Sequence, residues 1–500
     1  MSDIMRDIRS ILREAAALEN TLSLLAWDQR TYMPEGGATS RAEQISLIAR
    51  LHHERYAGDA LMALLDAAEK EGVGRGESDD DVIVRVTRRK TMRARQLPAE
   101  LVARLSEAAS SGTRAWQDAR RTNDFGVFLP ALERNLALQR EAAHAINPSV
   151  DPYSALLEHM LPGFTAEDLD VFFDELKARL VPLVRDIAAH QDAIDPAPVE
   201  EHVPDAAQWA AVEAATNAIG FDYRRGRLDR TIHPFCTTIG PGDVRLTTRV
   251  EETLWPMAFF GTLHEMGHGL YQQGLPRSLA GTPAGDSAGL GIHESQSRFF
   301  ENIIGRSQGF WRYFTPRLRE IFPAVFGRYG AQDIFRAVNR SRPSFIRIQS
   351  DEVTYTLHIV LRFELERALL DGTLAAADLP GAWRQKMHQL LGITPPDDLV
   401  GVLQDVHWSQ GSFAYFPSYA VGNVIAAQIA LAMERDLGEL GERAAGGDFE
   451  SIRAWLSDHV WELGGRHETR ETVRRATGEE LSTAPYLRCL EEKFTALYGL

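Results

Sequence analysis

The run His264-Glu265-Met266-Gly267-His268 carries the sharpest chemistry in the chain. On a helix, side chains four apart share a face, so both imidazoles can reach one cation while Glu265 sits at its edge. Two nitrogen ligands beside a carboxylate suit metal-assisted hydrolysis. The histidines hold a divalent cation, and the carboxylate takes a proton from the water it activates. A closed site needs a third protein ligand and leaves the fourth position to water. Downstream, His293-Glu294-Ser295-Gln296-Ser297 follows a loop marked by Gly281, Pro283, Gly285, Gly289 and Gly291. Glu294 is the expected third ligand and His293 its rival. Neighbouring helical positions diverge by about 100°, so only one of them can face the metal. Zinc suits two histidines and a carboxylate, and the affinity order leaves cobalt, nickel and copper open.

The elements that must position these groups read mostly as helix. Ile4 to Trp27 carries apolar residues at three- and four-residue spacing, and Arg41 to Arg55, Ala99 to Arg121, Phe128 to Ile146 and Leu169 to His190 repeat the pattern. Leu254, Met257, Ala258, Leu263 and Leu270 give the motif helix an apolar side, and residues 294–304 predict a second helix returning to it. Gly267 and Gly269 are poor helix formers and are expected where another backbone or the substrate comes close. One segment breaks the period. Leu228 to Cys236 and Val244 to Val250 are rich in β-branched residues and flank the turn Gly240-Pro241-Gly242-Asp243. They predict a β-hairpin packed on helices, a cleft wall whose strand Val244 to Val250 could pair with an extended peptide. Glu71 to Asp81 and Asp192 to Asp205 read as surface connections.

Composition narrows the function. Hydrophobic residues make up 44% and charged residues 25% of 500, which excludes global disorder. Net charge is 54 − 70 = −16, so general binding of nucleic acid or anionic membrane is not expected. No run of eighteen apolar residues occurs, so no membrane span is expected. Met1 to Leu12 lacks the apolar core of a signal peptide. Cys236 and Cys489 are the only cysteines, too few for a disulfide framework. The expectation is a reduced, cytoplasmic protein.

Several motifs together resemble the carboxypeptidase Taq family of metallocarboxypeptidases over almost the whole length. The metal pentad His264 to His268 and His293-Glu294-Ser295 match, with the glutamate as third ligand. So do His233-Pro234-Phe235, Asp243 with Arg245 and Thr247, and Ile346, Arg347 and Asp351, where Ser350 replaces an alanine. Gly401, Gln404, Asp405, His407 and Trp408 match, as do Trp27-Asp28-Gln29, Met33-Pro34 and Arg41. The resemblance implies a mainly α, elongated body of the zincin, neurolysin-like kind, with a deep groove and a small hairpin or sheet beside the motif helix. It implies one domain over 1–500: a helical wall to about 220, a metal-binding core over 221–430, and C-terminal helices over 431–500. It further implies a homodimer that removes single residues from free peptide C-termini with broad specificity, using zinc or cobalt.

Roles for single residues follow. Glu265 is the expected general base. Tyr415, in Gly411-Ser412-Phe413-Ala414-Tyr415-Phe416, is the expected donor to the oxyanion; Tyr419 shares the segment, and His407 is a second donor. Arginine forks suit a terminal carboxylate, and Arg347 is preferred over Arg245. The structural alternative for Arg347 is an ion pair with Asp351. The resemblance sets Arg245 and His233 near the closed end of the groove. Glu301 or Asp405 is expected behind a ligand histidine. An oligopeptidase would carry the same metal site. A non-catalytic peptide-binding scaffold would have no need of Glu265.

Overall fold

The computed structural model describes residues 2–500 and is mostly helical, with a single three-stranded sheet among the described residues. The chain packs as two compact units. The first comprises the segment ending at Arg95, Pro196–Val338 and Ala426–Leu481; the second comprises Gln96–Asp195, Asn339–Ile425 and Ser482–Leu500.

The first unit holds the sheet and the metal motif. Its opening helix, Asp3–Thr31, is capped by the Ser2 hydroxyl on the Met5 amide and runs past Trp27. Met5, Ile8 and Leu12 pack with Leu61, Leu65, Val82, Ile83 and Val86 in one core. The motif helix, Trp255–Gly274, starts with Pro256 in its first turn, where a missing amide costs nothing. It is followed by Leu275-Pro276. Trp255 and Phe259 pack edge-on or tilted against Trp311, with Phe314 also on Phe259, fixing this helix to the helix Gln308–Ile321.

The sheet differs from the expected simple hairpin. Strands β1 (Gly226–Arg230), β2 (Cys236–Gly240) and β3 (Asp243–Thr248) lie in the order β1-β3-β2. β2 and β3 form the hairpin around the Gly-Pro-Gly-Asp turn, where Gly242 takes φ +95°. β1 runs parallel to β3. The run Leu228 to Cys236 is thus two strands, broken where Pro234 has no amide to give a ladder. β3 is central, with both edges paired, so Val244 to Val250 cannot add a peptide strand as expected; β1 and β2 supply the edges. The sheet lies along the motif helix. The Thr262 hydroxyl donates to that of Thr248 at 2.9 Å, and Gly269 leaves room for Leu246 and Val244.

The second unit is built on the helix Thr354–Asp371, which is buried all round, including Leu357, Ile359, Leu361 and Phe363. Tyr153 and Phe173 pack on Phe363, with ring centroids 5.4 and 4.7 Å away.

Candidate metal centre

Two helices of the first unit meet at the motif because Gly267 has no side chain. A Cβ there would lie 2.4 Å from the Gln296 carbonyl oxygen on the helix Leu290–Arg298. This close crossing sets Glu294 opposite His264 and His268. The Nε2 atoms of His264 and His268 stand 3.9 and 3.6 Å from Glu294 Oε2. These gaps are too long for hydrogen bonds. Ligands 2.0–2.2 Å from a shared tetrahedral cation stand about 3.4 Å apart. The three donor atoms all lie within 4.8 Å of one another. The donor set therefore fits a divalent cation.

The far nitrogens of both imidazoles are held. His264 Nδ1 donates to Glu301 Oε2, and His268 Nδ1 donates to the His293 carbonyl, each at 2.9 Å. That fixes the tautomers and leaves both Nε2 lone pairs facing Glu294. Of the two expected candidates behind a ligand histidine, Glu301 fills the role. Asp405 belongs to a cluster in the second unit, described below. His293, the rival ligand, points elsewhere: its Nε2 accepts from Gln272 Nε2 at 2.9 Å, and its ring lies 4.3 Å from that of His268. It contributes its carbonyl, not its ring.

Arg298 completes the arrangement. Its Nε donates to Glu294 Oε1 at 2.8 Å and its Nη1 to Glu301 Oε2 at 3.1 Å. Glu294 Oε2 thus stays free for the metal face. Sequence reasoning passed over this residue, although its spacing carried a signal, four after Glu294 and three before Glu301. The predicted helix over 294–304 also changes character. After Arg298 the turns widen into a π-helix, Phe299–Ile304, which carries Glu301.

The electrostatics follow from burial. Glu265 is 8% exposed, and burial foremost pushes its carboxyl up to about 7; His264 opposes this, while Glu294 and Glu301 add to it. Burial also works against ionised Glu301, yet Arg298 and the His264 hydrogen bond hold it down at about 2. For His268, burial pushes the imidazole well below its ordinary value, as a metal ligand requires. For His264, burial works against the charged ring, but Glu294 and the Glu301 hydrogen bond outweigh it and raise the imidazole above its ordinary value. A carboxyl poised near neutrality beside these imidazoles can shuttle a proton.

Of the expected sheet residues, Arg245 lies in β3, donates to both Asp243 oxygens at 2.9 and 2.8 Å, and stands 4.2 Å over the Trp27 ring. His233 is exposed, in the connection between β1 and β2. Two motifs meet nearby: the Phe235 amide donates to the Thr247 hydroxyl at 2.8 Å, and the Thr247 amide donates to the Phe235 carbonyl at 3.0 Å.

The other expected residues gather in the second unit. Arg347 is buried; its Nε and Nη2 donate to Asp405 Oδ1 at 3.1 and 2.9 Å, and its Nη1 to the Tyr355 hydroxyl at 3.0 Å. The ion-pair partner is therefore Asp405, not Asp351. Residues 347–349 form a short 3-10 turn and Ser350 is extended, so no continuous helix joins positions 347 and 351. Asp351 instead caps the next helix, accepting from the Val353 and Thr354 amides. The Arg347 guanidinium lies 5.2 Å from the Tyr419 ring centre. Tyr415 lies 5.5 Å from Tyr419 and 5.6 Å from His407, ring to ring. Burial pushes His407 down to about 4, with Asp405 opposing. Ala414 takes φ +60°, a left-handed conformation costly for a side-chain-bearing residue. Its amide donates to buried Glu366 Oε2 at 3.1 Å.

Comparison with known proteins places this geometry. The family model described as carboxypeptidase Taq (M32) metallopeptidase matches residues 7–494. The chain is 44% identical to thermostable carboxypeptidase 1 of Thermus thermophilus, over 97% of each chain. It is 36% identical to carboxypeptidase 1 of Bacillus subtilis, over 99% of each. The crystal structure of an M32 carboxypeptidase from Deinococcus radiodurans superposes with a TM-score of 0.96 at 39% identity, covering 100% of both chains. That of a Pyrococcus furiosus carboxypeptidase gives 0.95 at 34% identity, over 99% of both.

Proposed function

The chain belongs to the carboxypeptidase Taq (M32) family of metallopeptidases, and on that premise we propose that it releases single amino acids from free peptide C-termini with broad side-chain tolerance, with Glu265 as general base. That it is a metal-dependent peptide hydrolase follows from the family. The observation that carries the finer reading is the convergence of His264 and His268 on Glu294 Oε2, next to a buried Glu265.

A divalent cation held by this triad, zinc in our reading, supplies Lewis acidity to water and to the scissile carbonyl. Glu265 receives the water proton on its carboxylate and returns it to the leaving amine nitrogen. Glu301 and the His293 carbonyl keep both imidazoles oriented. The Tyr415 hydroxyl donates to the developing oxyanion, with His407 and Tyr419 beside it. For the terminal carboxylate we propose Arg347: three of its five N–H groups are engaged, leaving a pair for an incoming anion. Arg245 and His233 are proposed to limit substrate length. The homodimer and a cytoplasmic location complete this reading and rest on the family resemblance and the low cysteine content.

One peptide prepared with a free and with an amidated C-terminus tests it. Metal-loaded protein should shorten only the free acid, one residue at a time, as followed by mass. Equal internal cleavage of both forms would make the protein an oligopeptidase and remove the role of Arg347. Metal binding without any cleavage would favour a non-catalytic scaffold.

A further inference from the structure

The helix Thr354–Asp371 turns two charged side chains, four residues apart, onto one loop of the second unit. Arg362 donates to Gln404 Oε1 at 2.8 Å and to Asp405 Oδ2 at 2.7 Å, at the start of that loop. Glu366 takes the later part. Its Oε1 accepts from the Trp408 indole at 2.7 Å, and its Oε2 accepts from the Ala414 amide at 3.1 Å and the Tyr153 hydroxyl at 3.0 Å. Glu366, Trp408, Ala414 and Tyr153 are all buried. A buried carboxylate is costly unless its hydrogen bonds are made, and two of these three go to the loop.

The two halves of the loop are held differently. Residues 407–410 form a 3-10 turn anchored by Asn135, whose Nδ2 donates to the Trp408 and Ser409 carbonyls at 2.8 and 3.0 Å. The helix Ala99–Thr122 closes on the same place through Gly112, where a Cβ would lie 2.3 Å from the Ser409 carbonyl oxygen. The later half turns on two left-handed residues, Gly411 at φ +71° and Ala414 at φ +60°. Glycine takes that conformation freely and alanine does not. The amide of the strained residue is the one bonded to Glu366. Tyr415 follows at once. Its ring lies 5.6 Å from that of His407, and its carbonyl accepts from the Ser418 amide at 3.2 Å, where the helix Pro417–Leu437 begins. The conformation of Ala414 therefore sets the direction in which the chain enters Tyr415.

We propose that Glu366 is a positioning residue for the reaction: holding the Trp408 indole and the Ala414 amide on one carboxylate, it keeps the left-handed turn that sets Tyr415 beside His407. This role rests on the reading of Tyr415 as donor to the oxyanion. Glu366 touches no substrate and acts only through the backbone of the loop. A donor to a developing charge works when its place is fixed before the reaction, so a buried group that fixes it contributes to rate rather than to binding.

The test is a set of variants of the full-length, metal-loaded protein, assayed on a peptide with a free C-terminus. In Glu366→Gln one of the two loop donors loses its acceptor whichever way the amide turns. Its kcat should fall at least about tenfold, with KM and metal content unchanged. Ala414→Gly should keep the wild-type kcat. Because glycine takes the left-handed turn unaided, Glu366→Gln/Ala414→Gly should lie within about threefold of it. That pair also decides the matter if Glu366→Gln alone does not fold. Tyr153→Phe removes a donor to the same carboxylate from outside the loop, and should lower stability but not kcat. Glu366→Gln should add little to Tyr415→Phe, since both act through one hydroxyl. Full kcat in Glu366→Gln, a loss that glycine at 414 does not repair, or losses that multiply with Tyr415→Phe would each overturn the proposal. If Tyr415→Phe itself keeps full kcat, the oxyanion role fails on its own, and a crystal structure of Glu366→Gln then decides the positioning. The Tyr415 ring should leave His407 there, and an unmoved ring would overturn it.

Discussion

The Nδ1 atom of His264 lies 2.9 Å from Glu301 Oε2, and the same oxygen accepts from Arg298 at 3.1 Å. One carboxylate thus fixes the tautomer of a candidate metal ligand while a guanidinium keeps that carboxylate ionised. Glu301→Gln should weaken metal affinity by about 10–100-fold, because an amide holds the imidazole less firmly and does not raise its basicity. Competition with a chelating dye would measure this. Unchanged affinity would show that His264 needs no such support.

Removing the proposed base separates binding from chemistry. Glu265→Gln keeps the shape and the metal triad but cannot accept a proton. Metal content should stay stoichiometric while kcat falls by at least about 10²-fold. A fall in kcat that tracks metal loss would assign Glu265 to metal retention instead.

The crossing at Gly267 is a packing requirement that the site inherits. In Gly267→Ala, the added Cβ would meet the Gln296 oxygen at 2.4 Å and Ser297 Cα at 2.6 Å, both backbone atoms that cannot swing away. A loss of about 1–3 kcal/mol in stability is expected, with weakened metal binding as Glu294 is pushed off. Gly261→Ala on the same helix, where a Cβ meets nothing within 4 Å, should leave both nearly intact. Denaturant melts of the two variants with and without metal decide the matter.

Much of this centre was legible in the sequence because it rests on short periods. The four-residue spacing of His264 and His268 put both on one face, and Gly267 and Gly269 announced a close backbone. Glu294 could be separated from His293 only by the direction each takes on its helix, which no spacing reveals. The partnership of Arg347 with Asp405 crosses 58 residues and depended on a 3-10 turn that leaves no helix between 347 and 351. The parallel strand β1 was hidden for a similar reason: a β-branched run shows neither where Pro234 interrupts it nor which way its first half pairs. The left-handed Ala414 carries no residue-type signal at all.

Asp405 accepts from Arg347 and Arg362, which are 6% and 0% exposed. Two buried guanidiniums lean on one carboxylate. Burial opposes its charge, but both arginines hold its pKa well below the usual carboxylate range. Asp405→Asn leaves both cations uncompensated and should cost about 3–5 kcal/mol of stability. A loss below about 1 kcal/mol by urea unfolding at pH 7 would mean that the arginines find other acceptors.

Glu366 is shifted the other way. It is fully buried, accepts from Trp408 Nε1 at 2.7 Å, the Tyr153 hydroxyl at 3.0 Å and the Ala414 amide at 3.1 Å, and has no cation bonded to it. Burial foremost pushes its carboxyl up to about 7, the three donors only partly offsetting this. The folded state therefore holds this proton more tightly than the unfolded chain, whose glutamates titrate near 4.3. Between about pH 4.3 and 7 the native protein binds more protons at this site, so the Glu366 contribution to stability falls as pH rises and levels off above about 7. Glu366→Gln cannot titrate, and one of its donors loses an acceptor whichever way the amide turns. The wild-type advantage over the variant should then be largest near pH 5 and shrink toward pH 7.5, read as the difference in urea midpoint. A gap that stays flat from about pH 5 to 7.5 would mean that Glu366 is ionised throughout and that the loop carrying Tyr415 is held by charge.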